Sequence, residues 1–200
     1  MKKSKFQIFK DEIIKRAKGQ NACIEQFKRA VAAKDFPELF TVIKDNFNWS
    51  VNQKIIDVDL LMTVRDEARK SDLWVNETTK SGYLLAWGNA TVGAEGNATV
   101  RAGDNATVRA WGNATVEACD NATVEAEDNA TVRAGDNATV EAGDNATVEA
   151  GGNATVRAGD NAFVSSWKNI ECKLSDHAIF RNTETKEITI NKGSYTVILK

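Results

Sequence analysis

An eight-residue unit runs without interruption from Asn89 to Asn161, and it constrains the fold more than any other feature of the chain. Ten asparagines spaced by eight (Asn89, Asn97, Asn105, Asn113, Asn121, Asn129, Asn137, Asn145, Asn153, Asn161) each precede alanine, and nine of the ten continue as Ala-Thr-Val. The period extends in weaker form back through SGYLLAW from Ser81 and forward through NIECKLSDHAIF from Asn169. That makes about 13 units, and self-similarity on this scale signals a solenoid or array.

The unit dictates its own local structure. In ATVxA the two alanines and the valine share one parity while threonine and the variable, usually charged residue share the other, the alternation of a half-buried strand. The remaining residues, usually GDN or xGN, suit a turn with positive φ. Each unit is therefore one short strand and one turn.

Charge sets the coil length. The residue after valine reads Arg101, Arg109, Glu117, Glu125, Arg133, Glu141, Glu149, Arg157. Cross-strand neighbours of opposite charge attract. With two units per coil, 101/117, 109/125, 117/133, 133/149 and 141/157 are opposite and only 125/141 is alike; with three, 101/125 alone is opposite. An interior of Ala90, Val92, Ala94 and their equivalents also suits a thin gap between two sheets, whereas a three-sided prism would leave space that such side chains cannot fill. The predicted fold is α+β, with a two-sheet parallel β-solenoid of 16 residues per coil in a rod of roughly 30 Å. Stacked Asn side chains are expected to satisfy one another along the rod.

The flanks differ. Residues 1–76 read as a helical capping domain. Ser4 caps a first helix through Phe6, Phe9, Ile13, Ile14 and Ala17, and Asn21 a second with Ile24, Phe27, Ala30 and Val31 inward. Asp35, with Pro37 just inside, opens a third. A fourth follows Asp57 or Asp59 through Leu60, Leu61, Val64 and Ala68, while KDNFNWSVNQ has no clear assignment. Residues 77–182 form the solenoid. Residues 183–200 read as a β-hairpin, with Ile188 and Ile190 on one arm and Tyr195, Val197, Ile198 and Leu199 on the other. The second arm has apolar residues on both faces, and only Lys200 guards its end. That favours a homodimer through the C-terminal end, the alternative being a hairpin folded back over Phe163, Trp167 and Phe180.

Net charge is −2, but it is unevenly distributed: +5 over residues 1–50, −1 over 51–80, −8 over 81–164 and +2 over the remainder. No apolar run approaches the roughly 20 residues that span a bilayer, and the charged start MKKSKFQIFKDEIIKRAKG is unlike a signal peptide. The expectation is a cytoplasmic protein without a membrane segment. Cys23, Cys119 and Cys172 have unrelated spacings and read as free thiols, and the NAT sequons are by-products of the repeat.

The helical head, the link SGYLLAWGNATV and the tandem DNATVRA/GNATVEA octapeptides together resemble a group of octapeptide-repeat proteins of gut bacteria, Bacteroides-like ones especially, and of their phages. The likeness covers most of the chain. It implies a bacterial or phage cytoplasmic protein and brings no established activity.

Nothing suggests catalysis or a cofactor. His177, the single histidine, falls where the decaying repeat would place Asn, and no nucleophile has a partner at a telling spacing. Asp104, Asp120 and Asp136 fall on one predicted edge and Asp128, Asp144 and Asp160 on the other. Such rows suit calcium, but glycine replaces Asp at 88, 96, 112 and 152 without breaking the repeat, so the turn reading is preferred and no metal is assigned. Threonine columns raise ice binding, which the flanking Arg and Glu residues argue against; strand preference explains them. What remains is an interaction surface. The acidic rod, with Trp111 in a slot otherwise filled by Gly, Glu or Cys and with Glu95 and Glu127 beside the Asp rows, is expected to bind a protein partner. One form is a phage-type inhibitor that mimics nucleic-acid charge against a host defence enzyme; the alternative is a structural spacer. Direct nucleic-acid binding is not expected, because the basic lysines of the head read as a solvated helix face.

Overall fold

The computed structural model describes residues 3–191. The head contains α1 (Lys5–Lys18), α2 (Ile24–Ala32), α3 (Phe36–Asp45), α4 (Phe47–Asn52), α5 (Val58–Met62) and α6 (Arg65–Arg69). Three sequence-predicted caps are in place. Ser4 accepts from the Gln7 N–H at 3.2 Å, Asp35 from Glu38 at 3.0 Å and Asp57 from Leu60 at 2.8 Å. Each satisfies an orphan donor of a first turn. Phe9, Ile13, Leu39, Phe40, Ile43, Ile56 and Leu61 fill the interior.

Several expectations for the head are corrected. Asn21 does not cap α2; it has φ 50° in the turn before it, and Cys23 takes the cap position without a side-chain bond. Ile24 and Val31 are not inward but 73% and 46% exposed, because α2 turns only Ala30 fully into the core. KDNFNWSVNQ is helical over α4, since helix geometry turns Phe47, Ser50 and Val51 inward together. The fourth predicted helix is two, α5 and α6, broken at Thr63 and Val64; the break lets Leu61, Val64 and Ala68 all reach the core. Leu73–Val75, within the predicted helical segment, is already a strand, β1.

The repeat forms the rod. One sheet has β1, then β2 (Tyr83–Ala86), β4 (Thr99–Ala102), β6 (Thr115–Ala118), β8 (Thr131–Ala134), β10 (Thr147–Ala150), β12 (Phe163–Ser166), β14 (Ile179–Asn182) and β15 (Ile188–Ile190). The facing sheet has β3 (Thr91–Ala94), β5 (Thr107–Ala110), β7 (Thr123–Ala126), β9 (Thr139–Ala142), β11 (Thr155–Ala158) and β13 (Glu171–Leu174). Within the repeat each strand pairs in parallel with the strand two units on, so Thr99 stacks on Thr115 and Val100 on Val116, and Thr107 on Thr123 in the facing sheet. The two-unit coil is thus the one the chain adopts. Between the sheets the alanines and valines from Ala98 to Val164 are at most 6% exposed, while Ala90, in the first coil, is only partly buried.

At the far end β15 reverses and pairs antiparallel with β14. Tyr195, Val197, Ile198 and Leu199, on the other arm of the predicted hairpin, lie outside the described residues. No helix of the described residues is long and apolar enough to cross a membrane.

Candidate interaction surface

The charge of the rod has a definite location. Every arginine between residues 81 and 164 is paired across one coil. Arg109 meets Glu125 at 2.7 Å, Arg133 meets Glu149 at 3.2 Å, Arg157 meets Glu141 at 3.0 Å, and Arg101 pairs with Glu117. Arg133 also lies 4.0 Å from Glu117. Glu125 and Glu141, the one like-charged neighbour pair between Arg101 and Arg157, each turn to their own arginine. The flat faces of both sheets are therefore locally neutral.

The uncompensated carboxylates stand on the two edges, where the chain turns from sheet to sheet. Asp104, Asp120 and Asp136 line one edge. Glu95, Glu127, Asp128, Asp144 and Asp160 line the other, each in the two-unit register. These are the carboxylates singled out from sequence, and the net of −8 is theirs. Glu95 alone has a lysine nearby, Lys80 at 3.3 Å. At about 4.8 Å per coil, each row carries like charge at strand spacing.

What holds such rows is visible in the hydrogen bonds. Each of these aspartates sits in the left-handed region, φ 48° to 55°. From there five of the six carboxylates, all but that of Asp104, accept the backbone N–H one coil earlier: Asp104 to Asp120 at 3.1 Å, Gly112 to Asp128 at 2.9 Å, Asp120 to Asp136 at 3.2 Å, Asp128 to Asp144 at 3.0 Å and Asp144 to Asp160 at 3.1 Å. A carboxylate fixed by an amide dipole tolerates a like neighbour better than a free one does. The Asn columns behave as anticipated on one edge, where side-chain amides from Asn153 down to Asn89 donate to one another at 3.2 to 3.5 Å.

Trp111 is on the more acidic edge. It is half-buried rather than exposed: its ring lies over Gly93, and its Nε1–H donates to Glu127 at 2.8 Å. Asp128, Asp144 and Asp160 of the adjoining row are exposed. Trp87 packs against the head core and over Gly103. Trp167, near the far end of the rod, is 62% exposed beside Gly151.

The backbone N–H of His177 donates to Asp160 at 2.8 Å, as the asparagines do to the coil before them. Burial pushes the thiols of Cys119 and Cys172 up to about 11, so neither is a ready nucleophile. Among the described residues no group of His, Cys, Asp and Glu side chains is arranged to hold a metal ion.

Comparison of the chain with family models, curated proteins and solved structures finds no match.

Reading the sequence alone missed the junction between head and rod. Arg101, in the first full coil, donates to Asn52 of α4 and pairs with Glu117, which accepts from Asn48 of the same helix at 2.6 Å. The available signal was Leu85, an apolar residue one coil before Arg101 in a column that is charged from there to Glu149.

Proposed function

We propose that the protein is a non-catalytic interaction module whose acidic edges engage a basic protein surface. The single observation that carries this reading is the segregation of charge: neutral faces, with the whole net charge of the repeat drawn onto two edges, the richer of which also carries Trp111. Evenly spread charge would serve solubility alone. Charge in rows, rigidly spaced and held by backbone amides, presents a pattern that a groove built for a phosphate backbone meets favourably. The partner class is accordingly a nucleic-acid-handling or defence enzyme of a bacterial cell, and the rod would inhibit it by occupying that groove.

A second reading has its own support. Since five of these carboxylates accept a backbone N–H, each has a structural reason to be present. On that reading the rod is a spacer.

The experiment that separates them is capture from a bacterial lysate by the full chain and by an Asp128→Asn, Asp144→Asn, Asp160→Asn variant, since Asn tolerates left-handed φ. A basic nucleic-acid-handling protein retained at low salt, released at high salt and lost by the variant supports the inhibitor reading. Empty capture, with the variant's circular dichroism unchanged, leaves the spacer.

A further inference from the structure

The core of the helical head is incomplete. Among α1, α2, α3 and α4 lies a cavity of about 260 Å³, with the exposed Cys23 and Trp49 on its rim. Side-chain size accounts for it: Ala17, Ala22 and Ala30 line it together with Leu39 and Ile43, where larger residues would close the gap. Protein interiors hold few voids larger than a water molecule. A largely apolar cavity with a few polar groups on its wall is instead the usual form of a small-molecule site.

One buried group in that wall has no partner. Ser50 is 3% exposed. Its backbone is fully used, the N–H donating to Asn46 and the carbonyl accepting from Ile55 and Ile56. Its side chain lines the cavity, and the hydroxyl makes no hydrogen bond with any described residue. A hydroxyl withdrawn from water costs free energy unless something bonds it. Asn46, one helical turn earlier, lines the same cavity. Its Nδ2 donates to the Val42 carbonyl at 2.8 Å, which leaves Oδ1 as an acceptor without a donor among the described residues.

We propose that this cavity binds a compact neutral molecule, apolar over most of its surface and carrying one hydroxyl. Size comes from the volume: an apolar cavity of about 150 Å³ takes benzene, so this one takes roughly ten non-hydrogen atoms. Neutrality comes from the wall. None of the described residues that line the cavity is charged, and an ionised ligand would lose its water without gaining a counter-charge. The hydroxyl comes from the two free polar groups, since it can donate to Asn46 Oδ1 and accept from Ser50 at once. Water could serve those two groups but not the apolar remainder, and cavities walled by such side chains stay dry. This site lies in the head and is independent of the acidic-edge reading, so neither fails with the other.

Titration of the full chain with naphthol, followed through its amide chemical shifts, tests the proposal beside naphthalene and the anion naphthoate. The expected result is saturable shifts in α1 to α4 with the two neutral compounds and none with the anion. Ser50→Ala should weaken naphthol roughly two- to tenfold, the worth of one hydrogen bond, and leave naphthalene unchanged. Its melting temperature should not fall, because the hydroxyl has no protein partner to lose. Ala30→Leu should fill the cavity and abolish binding of both neutral compounds; Ala22→Leu, at a less buried position, serves the same end should Ala30→Leu disturb the helix packing. A wild type without saturable shifts holds water only and overturns the proposal. So do naphthoate binding as tightly as naphthol, Ser50→Ala binding naphthol as the wild type does, and undiminished binding by a folded cavity-filling variant.

Discussion

From Gly88 to Asp160 the turn position of each unit enters the left-handed region, and the sequence meets that demand with aspartate or glycine. The two differ in what they do to the coil spacing. Where aspartate stands, its Cβ separates the stacked turns, and the following Asn N–H reaches the carbonyl below at 2.8 to 2.9 Å. At Gly112 and Gly152 the turns close further, and the corresponding bonds are 2.7 and 2.5 Å. These glycines are therefore not interchangeable with Gly88. A Cβ on Gly88 meets no atom within 4 Å, so Gly88→Ala should cost only the left-handed penalty of about 1 kcal/mol. A Cβ on Gly152 would lie 2.5 Å from the backbone N of Asp136 and 2.8 Å from its O. Gly152→Ala should add overpacking of about 1–3 kcal/mol to the same penalty. Urea denaturation of both variants checks this; equal losses would show that the close approach at Gly152 carries no energetic weight.

At the scale of elements, the strands are specified by their interiors. Val124 is fully buried in β7 at mid-rod, and Val124→Asp would place a carboxylate where no partner can reach it. The expected outcome is loss of the strand signal in circular dichroism; a wild-type spectrum and melting temperature would refute the inside-outside assignment. The helices depend more on their surroundings. Burial pushes Glu77 up, but hydrogen bonds from Arg69 and Arg65 of α6 outweigh it and hold the carboxyl below its ordinary value of 4.5. A carboxyl lowered by folding stabilises fully above its ordinary value and loses that contribution as pH falls through its folded value. Glu77→Gln should therefore destabilise by about 1 kcal/mol at pH 7, the arginines being half in solvent. The gap from wild type should close as melting is followed below pH 4.5. The same contrast explains what the sequence disclosed. Coil length was legible because Arg109/Glu125 and Arg133/Glu149 repeat in register, and Val and Ala positions because parity is local. The break at Thr63 and the exposure of Ile24 were not, because both depend on which helix packs against which, and nothing periodic in the head encodes that. The acidic edges were half legible: the aspartate rows could be placed, but that the faces between them are neutral depends on ion pairs found only in three dimensions.

For the whole molecule, the open question is whether head and rod are one cooperative unit. Leu73, Val75 and Leu85 belong to the head's core although they lie on rod strands, so the first coil completes the helical domain as much as the helices cover the coil. Polar contacts at the junction converge on Arg101. Its side chain is 11% exposed, burial pulls its guanidinium down, and its Nε has no partner. Glu117 and Asn52, fixed beside the arginine, compensate the hydration its charge gives up. Removing it leaves Glu117 with Arg133 at 4.0 Å and Asn48, so the carboxylate is not stranded. Arg101→Ala should thus fall at or below the low end of the roughly 3–5 kcal/mol seen when a buried pair is broken. The loss should appear as a change in cooperativity rather than in the rod itself, whose alanine and valine core is untouched. Calorimetry of the wild type is expected to give one transition. Arg101→Ala should give two, the earlier one accompanied by loss of helical signal. A single transition merely shifted to lower temperature would mean that the apolar contacts of Leu85 and Tyr83 couple the two parts without the arginine.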